Sequence, residues 1–362
     1  MLERFKVPAA DVVRVPAESL RATVAAIFEK MGVAREVAAE GADVLVMTDL
    51  RGVETHGVSN MMRVYVRQYN EGVINPQPNW HIVRETPGTA TIDADRGLGI
   101  LLGRQAMNIA MEKAQRVGIG VVTMYNSGHL GAVGHFAMLA AQKDMVGMCM
   151  TAGGASVLPT FAAEGRLGAD PISIAAPAKS EPPLLFDVAT SAMAINKIRL
   201  AARTGAKLLP GWVATPEGVP IMEEITAPEQ GPNMVLPLGS TRELGSHKGY
   251  GLGLTVEVLS ALLAGALPSM LDSTNGFKNY FAAYDIAAFT DVAQFKENMD
   301  KMLQKLRATR PAPGQARVLY PGLLEYEEER ERRAKGIPLH KEVVQWFDNI
   351  AAELSVPRLK TM

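Results

Sequence analysis

The 362-residue sequence is 48% hydrophobic and 21% charged, which is typical of a globular chain with a large interior and two or three domains. Its formal net charge of -1, without a long basic tract, argues against a nucleic-acid partner. The single cysteine, Cys149, excludes an intramolecular disulfide framework and fits a reducing compartment.

The first 75 residues are predicted to be mainly helical. The opening segment MLERFKVPAADVVRV carries charge in every turn and no apolar run of signal-peptide length, so we expect a cytoplasmic protein. Apolar residues at helical spacing predict a helix over 18–31 and a second over about 34–50. The segment NPQP at 75–78 then marks a boundary, because closely spaced prolines do not continue a helix.

Helices and apolar strands alternate through the middle of the chain. Residues 80–95 predict two short strands around the turn dipeptide Pro87-Gly88. After them we predict, in order, helix 98–117, strand 119–125, helix 131–143, strands 145–151, 172–177 and 183–189, and helix 191–203. Such alternation predicts an α/β core whose strands pair at least partly in parallel.

Long loops and one strongly apolar helix follow this core. Residues 206–247 are rich in Gly, Pro and Thr, and they predict long loops over the core. The apolar stretch at 251–271 contains Glu257 and is interrupted by Pro268, so it does not qualify as a membrane span. We expect a buried helix at 251–266, in the core or at a subunit interface.

Three more helices are predicted near the C-terminus, over 292–308, 325–335 and 339–354. The second of them carries Glu–Arg pairs four residues apart, which is typical of a solvated face without a functional role. The third is apolar on one face and is expected to pack on the N-terminal helices. We therefore predict a helical part formed by 1–78 and 292–362, beside an α/β core of 79–291.

The segment MYNSGHLGAVGHFAM at 124–138 combines two histidines with three evenly spaced glycines. It is open to three interpretations: a nucleotide-binding loop, a pair of metal ligands, or a catalytic histidine. The fingerprint G-x-G-x-x-G needs a glycine where His129 stands, and the segments at 97–103 and 249–254 also miss the pattern. An ordinary Rossmann loop is therefore not expected, which leaves a nucleotide site on a different fold open.

A metal site at these histidines is not expected either. On one helix, His129 and His135 would lie about 120° apart and would not converge on one ion. No additional ligand pattern supports a metal. Acid/base chemistry at His129 fits better, because it follows an apolar strand and precedes a helix, where α/β proteins bind ligands. The alternative is a loop histidine bonded to backbone; His135 is expected to lie in the core.

Three other positions carry functional side chains in suggestive surroundings. His56, in Thr55-His56-Gly57, follows a helix end and is either a second functional histidine or incidental to a helix cap. Lys248 opens an apolar helix and suits a phosphate or carboxylate, or is a solvated cap residue. Asp187 ends an apolar strand and either binds a ribose hydroxyl, orients a base or caps a helix.

Together these segments resemble one family, the type-2 malate/L-lactate dehydrogenases. The family includes ureidoglycolate and sulfolactate dehydrogenases, diketogulonate reductase and piperideine-2-carboxylate reductase. The matching segments keep the family's order and span nearly the whole chain: DLRGVETHGVSNM (49–61), NSGHLGAVGHFAMLA (126–140), GADPISIAAP (168–177), FDVATSAMAINKI (186–198), LPGWVATPEGVP (209–220), HKGYGLGLTVEVLSALLAGA (247–266) and YPG (320–322). The ordered set is far more specific than any one segment.

The resemblance implies an α/β fold with a non-Rossmann, mixed-sheet nucleotide-binding core, NAD or NADP as cofactor, and a homodimer with its site near the subunit interface. It implies hydride transfer between nicotinamide and a 2-hydroxy/2-oxo acid, with His129 as general acid/base. His56 would be a second catalytic histidine, either binding substrate or donating a proton. The implied cofactor contacts are Gly153, Asp187, Val188, Ala189, Lys248, Gly249 and Gly322.

Two positions next to His56 depart from the family pattern. Thr55 stands where relatives usually have Ser, and it keeps the hydroxyl. Asn60 stands where many relatives have an arginine suited to grip a substrate carboxylate with two hydrogen bonds. Arg63 is the predicted substitute, so Thr55, Asn60 and Arg63 are the predicted substrate contacts.

Three alternatives to this function stay open. The first is a reductase of a cyclic imino acid or of another keto acid. The second is a non-catalytic nucleotide- or metabolite-binding relative, which the absence of an arginine at position 60 makes worth weighing. The third is a metal-dependent hydrolase or lyase. Neither the substrate nor the choice between NAD and NADP follows from the sequence.

Overall fold

The computed structural model describes residues 3–228, 234–274 and 276–362. The helices are α1 (Ala17–Lys30), α2 (Arg35–Leu50), α3 (Val58–Asn70), α4 (Gly99–Val117), α5 (Gly134–Ala141), α6 (Lys197–Thr204), α7 (Ser246–Val256), α8 (Val292–Arg307), α9 (Leu323–Lys335) and α10 (Lys341–Leu354). The strands are β1 (Val12–Val15), β2 (His81–Glu85), β3 (Thr89–Asp93), β4 (Ile119–Ser127), β5 (Met145–Ala152), β6 (Ile172–Ala176), β7 (Leu184–Val188), β8 (Lys207–Leu208), β9 (Ile225–Thr226), β10 (Phe277–Asp285) and β11 (Ile337–His340). A π-helical turn, Glu257–Leu262, continues α7.

A seven-stranded sheet forms the centre of the fold, in the order β2-β3-β4-β10-β5-β6-β7. β3 and β4 pair in parallel, and every other neighbouring pair in this sheet is antiparallel. The mixed α/β class predicted from the sequence is therefore confirmed. Parallel pairing is limited to one pair, because most of the strands follow one another through turns and loops rather than through crossover helices.

The central strand, β10, was not predicted from the sequence. Its polar residues Lys278 and Asn279 interrupt the apolar run, yet both are 0% exposed. β10 lies between β4 and β5 and pairs with both of them, so that Phe281 stands opposite Val122 on one side and Cys149 on the other. Because the strand is covered on both edges and both faces, its sequence lacks the apolar–polar alternation by which a half-buried strand is recognised.

Helices cover the two faces of the sheet differently. Phe281 of β10 packs edge-to-face on Phe136 of α5, in the same cluster as the residues of α4. The next residue, Ala282, points to the opposite face and packs with Val256 at the end of α7. The sheet is thus a central layer, with α4 and α5 on one side and α7 with its π-helical turn on the other.

The chain termini meet beside the sheet. β1 pairs antiparallel with β11, with Val12 opposite His340, and α1 packs on α2 and α10. One hydrophobic core runs from Phe28 of α1 and Phe347 of α10 to Phe136 under the sheet. The loop between α2 and α3 is therefore held against the segment that follows β4, and both carry a predicted functional histidine.

Three sequence-based expectations need correction. The helix predicted over 191–203 begins only at Lys197. The Ser191 hydroxyl donates to the carbonyl of Met193, and the amide of Ala192 donates to the carbonyl of Leu236, so this segment is not helical. The helix expected at 251–266, in the core or at a subunit interface, is not in the core of the chain: it exposes the apolar side chains of Leu252, Leu254, Val258, Leu262 and Leu263. The predicted solvated helix, α9, buries Arg332. Across the described residues, no helix is long and apolar enough to span a membrane.

Candidate active site

A cavity of about 620 Å³ lies between the α2–α3 loop, the segment after β4, the end of β7 and the start of α6. Its size is within the range of small-molecule and cofactor sites in proteins. Among the residues that line it are His56, His129, Asp170, Asp187 and Arg199. The cavity thus brings together side chains that are far apart in the sequence.

His129 is held in one orientation by bonds to its Nδ1 atom. The hydroxyl of Tyr65 lies 2.8 Å from Nδ1, and the backbone amide of Gly131 donates to it over 3.3 Å. Because an amide only donates, Nδ1 accepts, and the proton of the neutral ring stands on Nε2. Phe277 packs edge-on against the ring, with centroids 5.2 Å apart. Burial lowers the pKa of His129 to about 3, with smaller effects from His56 and Arg199.

His56 stacks on His129, with ring centroids 5.7 Å apart and planes 15° from parallel. Its Nδ1 atom lies 2.9 Å from the hydroxyl of Thr55. Burial lowers the pKa of His56 to about 4. Both rings are therefore neutral in the free site at neutral pH, and repulsion between stacked cations disfavours protonation of both together.

The loop carrying His56 is fixed by Asp49 at the end of α2. The Oδ2 atom of Asp49 accepts a hydrogen bond of 2.8 Å from the amide of Val58, and so caps the start of α3. A Cβ atom on Gly57 would lie 1.9 Å from Oδ1 of Asp49, so only glycine fits next to the histidine. Asp49 is 0% exposed, and burial raises its pKa to about 7.

A buried ion pair holds the same loop from the side of α9. Arg332 Nη2 lies 2.6 Å from Glu54 Oε1, and Arg332 Nη1 donates to the carbonyl of Asp49 over 2.7 Å. Arg332 also donates through Nε to Glu328, and both Arg332 and Glu54 are 4% exposed. The predicted solvated charged helix is thus a clamp on the His56 loop. The i,i+4 pairs of α9 look alike in the sequence, so no local signal distinguished Arg332.

Asp187 lies across the cavity at the end of β7, followed by Val188 and Ala189, which also line the cavity. The Oδ2 atom of Asp187 accepts a hydrogen bond of 2.9 Å from the amide of Gly134 at the start of α5. A Cβ atom on Gly134 would lie 2.6 Å from this oxygen, which explains the glycine. Asp187 therefore caps α5 rather than the helix that follows it. Burial raises its pKa to about 6, opposed by the bond from Gly134.

Several buried polar atoms of the cavity wall have no hydrogen-bond partner among the described residues. They include the Thr151 hydroxyl, Oδ2 of Asp170 and Nε2 of His135. His135 therefore lines the cavity, although the sequence assigned it to the core. Buried polar groups in proteins are nearly always bonded, so this wall suits a polar ligand such as a nucleotide. Gly153 lies in the same wall.

Two of the predicted substrate contacts are occupied by other residues. Asn60 is buried; it donates to the carbonyl of Glu54 and accepts from Arg203 Nη1 over 3.2 Å. Arg63 forms an ion pair with Glu342, and its guanidinium lies 5.5 Å from the ring centroid of Trp346. Neither residue lines the cavity, whereas Thr55 does.

Three predicted cofactor contacts also lie outside the cavity lining. Lys248 is exposed in the first turn of α7, and Gly249 packs on the backbone of Leu238. Gly322 has φ +96° at the start of α9, and a Cβ there would lie 2.8 Å from the amide of Leu185, which does line the cavity. Of the predicted cofactor contacts, the structure brings Gly153, Asp187, Val188 and Ala189 together in the cavity wall. The other three do not line the cavity.

The structure brings two stacked histidines together in a polar cavity, and the comparisons with known proteins place the chain among oxidoreductases. The family model described as "Malate/L-lactate dehydrogenase" matches residues 15–348. Malate dehydrogenase of Pyrococcus abyssi is 38% identical over 97% of this chain and 97% of that protein. L-sulfolactate dehydrogenase of Methanocaldococcus jannaschii is 33% identical over 91% of this chain and 94% of that protein.

The solved structures agree with these matches. Malate dehydrogenase from Pyrococcus horikoshii OT3 has a TM-score of 0.88 to this chain at 34% identity, and the match covers 99% of both chains. The chain therefore belongs to the malate/L-lactate dehydrogenase family, and the resemblance seen in the sequence is confirmed. Membership in this family supports a general hydroxyacid dehydrogenase activity.

Proposed function

We propose that this protein is an NAD(P)-dependent dehydrogenase that interconverts a 2-hydroxy acid and a 2-oxo acid. The observation that carries the proposal is the stacked pair of His56 and His129, half-buried beside the Asp187 wall in a chain of this family. Acid/base histidines and a polar wall for a cofactor are the two parts that such a reaction needs from a protein.

The wall formed by Gly153, Asp187, Val188 and Ala189 is the proposed cofactor contact. Hydroxyl and carboxylate atoms of Thr151 and Asp170 that have no partner among the described residues support a polar occupant. The sequence lacks a Rossmann fingerprint, so we propose binding through this wall instead of a glycine-rich loop. When bound, the nicotinamide cofactor supplies or accepts the hydride at C2 of the substrate.

The protonated ring of His129 is the proposed proton donor to the C2 oxygen, through Nε2, and the same atom takes the proton back in the reverse direction. The second proton of that ring stands on Nδ1, where the Tyr65 hydroxyl accepts it, so the ring that remains after the Nε2 proton leaves is neutral with its proton on Nδ1. His56 lies beside His129 and is proposed to polarise the same oxygen or to hold the substrate. Because both histidine rings are neutral in the free site, we expect His129 to take up a proton after an anionic substrate binds, since a nearby anion raises its pKa.

A substrate panel tests this function. Oxidation of NADH and of NADPH is followed by absorbance with pyruvate, oxaloacetate, other 2-oxo acids and cyclic imino acids. We expect turnover with at least one 2-oxo acid, and the panel also resolves NAD from NADP. Turnover of cyclic imino acids alone would assign the protein to the imino acid reductases. Cofactor binding without turnover of any compound would contradict a catalytic function.

We also propose a homodimer in a cytoplasmic setting. The exposed apolar face of α7 and its π-helical turn supports a contact between subunits, and the buried free thiol of Cys149 supports a reducing compartment. Replacing Leu254 and Val258 by Glu is expected to yield monomers in light scattering, whereas Val219→Glu, at an equally exposed apolar residue elsewhere, is not. A wild-type monomer at micromolar concentration would contradict the dimer.

A further inference from the structure

The cationic side chains of the cavity wall differ in whether a partner satisfies them. Three cations line the cavity: Arg51, Lys197 and Arg199. Arg51 pairs with Glu329 over 3.3 Å, and Lys197 Nζ lies 4.8 Å from the ring centroid of Trp212. Within the described residues, the one hydrogen bond of the Arg199 side chain is a 3.4 Å contact with the side-chain oxygen of Asn196, in the same turn of chain. Among the described residues, Arg199 thus has no carboxylate partner.

Two carboxylates of the surrounding helices, Glu342 and Glu71, are engaged by arginines other than Arg199. Arg63 and Arg203 both pair with Glu342, and Arg67 lies 3.9 Å from Glu71. Partial burial and repulsion by Arg67 lower the pKa of the Arg199 guanidinium. The cavity therefore contains a partly desolvated positive charge that an anionic ligand would compensate.

The packing of α6 explains why this arginine reaches the cavity. Arg203, one turn after Arg199, donates to the Asn60 side chain and to the carbonyl of Ser59. This contact presses one face of α6 against the start of α3, where Asn60 stands in place of the usual arginine. Residues four apart share a helix face, so Arg199 is held at the same side, over the cavity.

Arg199 also lies near the proposed acid/base. Its charge contributes to lowering the pKa of His129, after the larger effects of burial and of His56. A guanidinium near the proton donor is suitably placed for a 2-oxo acid, whose carboxylate is attached directly to the reacting carbonyl carbon. A carboxylate also matches the two-donor fork of arginine in a way that it does not match lysine.

We propose that Arg199 binds the substrate carboxylate, the role for which the family resemblance leads one to expect an arginine at position 60. The inference rests on the proposed function and deepens it: the substrate is an anion whose carboxylate faces α6 while its C2 oxygen faces His129. Arg63, the substitute expected from the sequence, is left with a structural role between α3 and α10.

The test compares Arg199→Met and Arg199→Lys with the charge-matched control Arg67→Ala. For the most active 2-oxo acid of the panel, Arg199→Met is expected to raise KM by about tenfold to a hundredfold, the range of one charged hydrogen bond. Arg199→Lys recovers part of this loss, and Arg67→Ala changes KM less than twofold. The Kd of the cofactor stays unchanged in all three variants, because Arg199 is proposed to contact the substrate alone.

An unchanged KM in Arg199→Met, or an equal loss in Arg67→Ala, would overturn the proposal. Loss of cofactor affinity matching the loss of substrate affinity would overturn it as well. Calorimetric titration with oxalate, a carboxylate probe that is not turned over, gives an independent measurement. Weaker oxalate binding in Arg199→Met supports the proposal even if the panel finds no substrate, whereas equal binding contradicts it. The oxalate titration tests carboxylate binding by Arg199, and the substrate panel tests the dehydrogenase function, so failure of one proposal can be distinguished from failure of the other.

Discussion

Two parts of the cavity wall are built in opposite ways. The wall with His56 and His129 is half-buried, and its loop is fixed by Asp49 and by the ion pair of Arg332. A second part of the wall, at the start of α6, presents Arg199, which is exposed and makes one weak polar contact with the described residues. Proton transfer needs groups that are fixed and shielded from water, whereas capture of an anion from water needs an accessible charge.

The largest expected effect is the loss of the acid/base on the half-buried wall. His129→Asn is expected to lower kcat by about a hundredfold to ten-thousandfold, the usual contribution of a general acid/base, while the Kd of the cofactor is retained. His81→Asn removes an exposed histidine outside the cavity and serves as the control. Steady-state kinetics measures both variants, and a kcat for His129→Asn within twofold of the wild type would contradict the assignment.

The clamp behind the same wall is tested by stability. Arg332→Met leaves Glu54 buried without its partner and is expected to lower the free energy of unfolding by about 3–5 kcal/mol. The control, Arg333→Met, removes a half-exposed arginine of the same helix and is expected to cost less than about 1 kcal/mol. Urea unfolding measures both. The double variant Arg332→Met/Glu54→Leu should regain most of the loss, and equal effects of the two single variants would rule out the clamp.

A smaller effect is expected where Tyr65 supports the ring of His129. Tyr65→Phe removes the hydrogen bond to Nδ1 and is expected to lower kcat about tenfold with little change in KM, because one hydrogen bond positions the ring. Tyr69→Phe is the matched control, since the Tyr69 hydroxyl has no partner among the described residues. If the two variants show the same kcat, the Tyr65 bond does not position His129.

The last prediction concerns the protonation of His56 and His129 in the wild-type protein. The pKa values of His129 and His56 are lowered to about 3 and about 4, so their neutral forms persist as the pH falls and protonate only near those values. Nitrogen NMR of labelled histidines should show both rings neutral from about pH 7 down to about pH 5. If either ring titrates near the ordinary pKa of about 6.5, that ring is solvated and the account of a desolvated histidine pair is wrong.

Much of the fold was predictable because periodic segments such as α4 and α10 bury one face. β10 was missed because it buries Lys278 and Asn279, which a polarity pattern assigns to the surface. The histidines of the site could be singled out because glycines and helix ends surround them. Arg332 and Arg199 could not, since their roles depend on contacts with residues far away in the sequence.

The central claim is hydride transfer to C2 of an acid, with the proton handled at His129. The most direct measurement uses a reduced cofactor carrying deuterium at the transferable position, a 2-oxo acid that the panel identifies, and NMR of the product. The account predicts one deuterium at C2 of the 2-hydroxy acid, formed by the wild type and only in traces by His129→Asn. Product without deuterium at C2, or undiminished formation by His129→Asn, would contradict it.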